Sequence, residues 1–181
     1  MAKLKVHPIF LMMLLLWALS GNIAQYFLVL VSLLWHEAGH LVMAKLFGVK
    51  VKRITMLPFG ARIEFLNGQA ISYTSLIWIA AGGPIFTLLA YSVNYYIPSI
   101  FREEFIMIQL GLLCVNLLPI YPLDGFKLVE VYTKYNNSYV EFMHRYGNLV
   151  LIIFIVFFDN LLIKLINLLS YPISWFWGLI F

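Results

Sequence analysis

LLWHEAGHLV, residues 33–42, sets a histidine, a glutamate and a second histidine inside a run of otherwise apolar residues. The composition around it decides what that run is. Hydrophobic residues make up 63% of the 181-residue chain and aromatics 17%, with a mean hydropathy of +0.91, where soluble domains hold roughly 45–50% apolar residues. Such a chain is an all-α polytopic membrane protein. At roughly 20 residues per crossing it has room for about six transmembrane helices in a single membrane-embedded domain, residues 1–181, with little left for loops.

Apolar runs broken by polar punctuation place those spans at 8–20, 23–47, 72–97, 105–118, 146–158 and 161–181. The first, fourth and fifth are short for full crossings, so they require tilt or local thinning. Between the second and third, VKVKRITMLPFGARIEF (49–65) alternates polar and apolar residues around Pro58 and Gly60, which predicts a small β-hairpin. Lys3 and Lys5, followed by the apolar run at 9–16 and Ala18-Leu19-Ser20, also fit a cleaved signal peptide, which would leave five spans. The next apolar run begins at once, so the first span is expected to be retained.

The net charge of +4 is spread over single basic residues rather than a cluster, so nucleic acid is not an expected partner. It reports topology instead. With a cytoplasmic amino terminus and six crossings, all of the 12 Lys and Arg residues except Arg102 and Lys164 fall on the cytoplasmic side, and both termini are expected there. The one cysteine, Cys114, excludes an internal disulfide.

Six of the eight acidic residues lie in expected loops or at span ends, where water or headgroups solvate them; Glu37 and Asp124 do not. An ionisable group in a span costs at least a few kcal/mol and marks a functional site by default. His36 and His40 are spaced i and i+4, so on a helix both imidazoles lie on one face and can grip one metal ion, with Glu37 beside them as a general base for water. This is the HExxH pattern of zinc proteases. Buried histidines more often simply satisfy hydrogen bonds, but two of them with a carboxylate on one turn of a membrane helix need a stronger reason.

A catalytic zinc takes a third protein ligand and leaves one position open. CVNLLPIYPLDGFKLV (114–129) offers Asp124 after Asn116, Pro119 and Pro122, with Gly125 permitting a tight turn directly after the carboxylate. Prolines at membrane depth are tolerated where the chain is buried in protein or lines a wet cavity. Read alone, the stretch also fits a plain solvated loop. Gly82-Gly83-Pro84 reads as close helix packing with a break. Tyr171, Trp175 and Trp177 fit an interfacial belt, and His7 and His144 are expected at interfaces without a metal.

HEAGH (36–40) together with NLLPIYPLDG (116–125) resembles the site-2 protease family of intramembrane zinc metalloproteases, whose signatures are HExxH and NxxPxxPLDG on separate spans. The likeness is stronger still to the family's sporulation branch, typified by stage IV sporulation protein FB. VKRITMLPFGARIE, IAAGGPIFT and HPIF support it, so that it covers residues 7–127. The resemblance implies zinc, one per chain, held by His36, His40 and Asp124, with Glu37 as general base. It implies hydrolysis of a membrane-tethered protein near the cytoplasmic face, and Asn116, Pro119 and Pro122 as substrate-binding residues. From the sporulation branch it further implies a sigma factor precursor as substrate, inhibitory membrane proteins as partners, and the bacterial cell membrane, specifically the mother-cell membrane surrounding the forespore, as location. The PDZ domain of many relatives and the CBS domain of the sporulation branch are expected to be absent. Phe126 stands where relatives often have a second glycine.

Two other classes fit an oily chain with buried ligands. A metal transporter needs a relay of ligands across the bilayer and has no use for a glutamate beside the first one. A non-catalytic chaperone of membrane proteins has no need of Glu37 either.

Overall fold

In a computed structural model the described residues are 3–21, 23–57, 60–66, 70–96, 101–133, 137–157, 161 and 163–168. The chain divides into two compact units, Met1–Gly83 and Pro84–Phe181.

The first unit opens with β1 (Lys3–Val6) and α1 (Pro8–Leu19). His7 caps α1, its Nδ1 accepting the N–H of Ile9 at 3.3 Å, and Pro8 takes a first-turn position where its missing N–H costs nothing. Then comes α2 (Ile23–Leu46), which carries the HEAGH stretch. Gly48 ends it with φ +68: the N–H of Gly48 bonds to the carbonyl of Lys45 at 3.1 Å and that of Val49 to Ala44 at 2.8 Å. This is a Schellman closure, which satisfies the last carbonyls of the helix and needs a left-handed residue. It also turns Val49 inward onto Ala44 and Ile79, with Met43, Val51, Phe65 and Ile71 around them.

The expected hairpin is present as β2 (Val51–Leu57) and β3 (Gly60–Phe65), antiparallel, with Ile54 opposite Ile63. Its turn at Pro58 lies outside the described residues. The sheet has a third strand, however. β1 pairs in parallel with β2, Leu4 opposite Ile54, so the order is β1-β2-β3 and β2 is central. Lys3 and Lys5 are therefore strand residues rather than only the charged flank of a span; the KLKV alternation was the signal, too short to stand against the apolar run that follows.

α3 (Tyr73–Tyr96) packs its first half on α2. A Cβ at Gly82 would stand 2.5 Å from the carbonyl oxygen of Gly39 and 2.9 Å from Met43 Cγ, so the two helices meet backbone to backbone. Two successive glycines in a helix interior cost roughly 2 kcal/mol of propensity against alanine, a cost offset by that approach. The close packing expected at Gly82-Gly83-Pro84 is observed, but the break is not: α3 runs on through Pro84.

The second unit takes α3 onward into α4 (Arg102–Asn116), α5 (Asp124–Tyr132) and α6 (Ser138–Phe157). Ile120, Leu123, Phe126, Val140, Met143 and Leu151 form one core; Tyr91, Leu110, Cys114 and Ile166 form another. Asp124 opens α5, so Gly125 sits in a helix and makes no tight turn. A Cβ there would strike the carbonyl oxygens of Leu117 and Leu118, and the glycine is needed to bring α5 against the end of α4. At Gly147 a Cβ would meet Tyr121, so α6 presses on the loop before Asp124 in the same way.

Among the described residues, three helices are long and apolar enough to cross a membrane: Ile23–Leu46, Tyr73–Asn94 and Ser138–Phe157. The last begins well before the expected residue 146. With 12 and 15 residues, α1 and α4 reach only about 18 and 22 Å, against a hydrocarbon core of about 30 Å. The structure thus establishes a mostly helical fold with a three-stranded sheet and, among the described residues, three helices of crossing length. Most of the expected span at 161–181, with Tyr171, Trp175 and Trp177, lies outside the described residues.

Candidate metal centre

On α2, His36 and His40 are buried to 1% and 3% exposure, with Glu37 at 8% between them. The i, i+4 spacing does what the sequence implies: the two Nε2 atoms converge to 3.3 Å, the rings edge-on with centroids 5.0 Å apart. Nδ1 of His40 has two close neighbours, the carbonyl oxygen of Ile79 at 2.7 Å and the N–H of Gly83 at 3.3 Å. It cannot donate to one and accept from the other at once. The carbonyl can only accept and is much the nearer, so Nδ1 carries the proton, and the lone pair of Nε2 is left facing His36.

That donor set fits zinc. Two Zn–N bonds of about 2.0–2.1 Å at a tetrahedral angle put their nitrogens about 3.3–3.4 Å apart, which is the separation found here. The same kind of ring nitrogen, on the same turn, is presented twice to one point, and a backbone carbonyl orients one of the rings as in zinc sites generally.

Asp124, 3% exposed, is the first residue of α5. Lys127, one turn on, donates from Nζ to its Oδ1 at 2.8 Å, which engages one carboxylate oxygen. His36, His40 and Asp124 are each buried, and each offers an atom able to ligate a metal ion. Asn116, also buried, turns its amide back to donate to the carbonyl of Leu112 at 3.0 Å within α4. Pro119 is exposed and Pro122 half-buried. His144 is engaged within the second unit, its Nε2 2.5 Å from Glu130 Oε1 and its ring against Tyr121 and Phe126.

Two contributors escaped the sequence reading. The carbonyl of Ile79 has no sequence signature. Lys127, three residues after Asp124, was legible in principle, because i, i+3 charges meet on a helix.

Residues 24–103 match the profile of Peptidase family M50. The chain carries a Peptidase M50, or site-2 protease, domain. Over 133 residues, 70% of the chain and 46% of the relative, the M50 chain is 30% identical to Stage IV sporulation protein FB of Bacillus subtilis (strain 168). Over 165 residues, 81% of the chain and 47% of the relative, it is 25% identical to a zinc metalloprotease of Methanocaldococcus jannaschii. It thus spans about half the length of these curated relatives. The solved site-2 protease from Methanocaldococcus jannaschii superposes with a TM-score of 0.68 at 24% identity, covering 95% of this chain and 87% of that one, and shares its fold.

Proposed function

We propose that this M50 chain is an intramembrane zinc metalloprotease that hydrolyses a peptide bond of a membrane-tethered protein near the cytoplasmic face. The observation that carries the reading is the pair of Nε2 atoms at zinc-ligand spacing with Glu37 on the same turn. His36, His40 and Asp124 are the ligands. Zinc held there supplies a Lewis acid that polarises the scissile carbonyl and acidifies water.

The chain's own residues do the rest. Glu37 takes the proton of the attacking water and returns it to the departing amine. The hydrogen bond to Ile79 keeps the His40 ring in one tautomer, and Lys127 holds the carboxylate of Asp124. A helical substrate keeps its scissile carbonyl bonded inside the helix and must unwind locally before attack. β3 is the edge of the hairpin opposite β1 and is suited to pair with the extended segment by β-augmentation. Asn116, Pro119 and Pro122 line the substrate's path in this reading.

The likeness to Stage IV sporulation protein FB supports a sigma factor precursor as substrate, inhibitory membrane proteins as partners, and the mother-cell membrane around the forespore as location, with both termini cytoplasmic. The test is co-expression with candidate tethered substrates, comparing the native chain with Glu37→Gln. Cleavage by the native chain alone supports the assignment; equal product from both refutes it.

A further inference from the structure

Gly83 supplies no ligand, yet its backbone faces the two imidazoles directly. A Cβ built on it would meet Nε2 of His36 and Nε2 of His40 together, far inside van der Waals contact of both, with Cε1 of His36 at 2.6 Å. The absent side chain would thus collide with both ligand nitrogens at once. Nor can the His40 ring simply swing away, since it is tied through Nδ1 to Ile79 one turn earlier on the same helix as Gly83. Gly82, the adjacent glycine, acts elsewhere, because its missing Cβ makes room for the backbone of Gly39. The pair therefore divides the labour, one residue setting the distance between α2 and α3 and the other making room for the two imidazoles.

We infer that Gly83 is a positioning residue of the metal centre, its lack of a side chain leaving the room in which the imidazoles of His36 and His40 converge to hold one zinc. The inference rests on the zinc reading above. Alanine is the better helix former, so helix propensity gives no reason for the glycine and the substitution does not weaken α3 by itself.

Zinc content and zinc affinity of the purified full chain test it, together with the thermal midpoint in chelator and in excess zinc. The native chain is expected to carry about one zinc and to melt higher with it. Gly83→Ala is expected to lose at least 100-fold in zinc affinity and to show no zinc-dependent rise in midpoint. Native affinity in Gly83→Ala overturns the inference while leaving the zinc reading intact. A native chain that binds no zinc overturns the reading itself. If Gly83→Ala folds poorly, it is compared with Gly83→Ala in a His36→Ala, His40→Ala background, in chelator. Folding restored there shows that the methyl group collides with the imidazoles. The same defect in both backgrounds shows that it collides elsewhere, and the inference falls.

Discussion

Nδ1 of His40 lies 2.7 Å from the carbonyl oxygen of Ile79, which fixes the ring proton on Nδ1 and turns Nε2 toward His36. A nitrogen presented this way binds metal without first losing a proton. Purified native chain should therefore hold about one zinc with two nitrogens and one carboxylate from the protein. His36→Ala, His40→Ala and Asp124→Ala should each lower both zinc content and cleavage, as measured by elemental analysis and by substrate processing. Full zinc occupancy in Asp124→Ala would show that another group is the third ligand.

Lys127 engages Oδ1 of Asp124 at 2.8 Å, with the carboxylate 4% exposed and the lysine side chain 45% exposed. A partner of this kind typically sets about 10–100-fold of metal affinity. Lys127→Ala should weaken zinc binding by about that factor in a competition titration, while Lys127→Arg should retain most of it. Unchanged affinity in Lys127→Ala would reduce this contact to a surface ion pair.

The sheet order leaves β3 as the hairpin's outer strand, whereas β2 is flanked on both sides. Proline at Ile54 would damage the sheet itself, so the informative change is Ile63→Pro. With expression and zinc content preserved, it should abolish most cleavage of a tethered substrate. Native cleavage rates in that variant would remove β-augmentation from the mechanism.

Val42 lies on the HEAGH helix just past His40, 39% exposed, and Pro122 is half-buried two residues before Asp124. Single cysteines at either position, in a chain with Cys114 replaced, should crosslink to a cysteine near the substrate's cleavage point. Crosslinks formed only from lipid-facing positions of α6 would mean that the substrate enters by a different route.

The sequence by itself determined what depends on neighbours along the chain. Its apolar content required membrane helices, the four-residue spacing placed His36 and His40 on one helix face, and the alternation around residues 58–60 made a hairpin, because the helical and strand periods are local properties. The tertiary structure decided what depends on partners far along the chain. β1 joined β2 some fifty residues later, forming a three-stranded sheet from what read as a charged flank and a hairpin. Asp124 proved to open a helix, with Gly125 serving a close approach to Leu117 and Leu118 rather than a turn. Which carbonyl orients His40, and which glycine makes room for its ring, follow from where the first half of α3 lies against α2. Short-range periodicity cannot encode such a choice, since it is made by the packing of two backbones at separations where a single methyl group no longer fits.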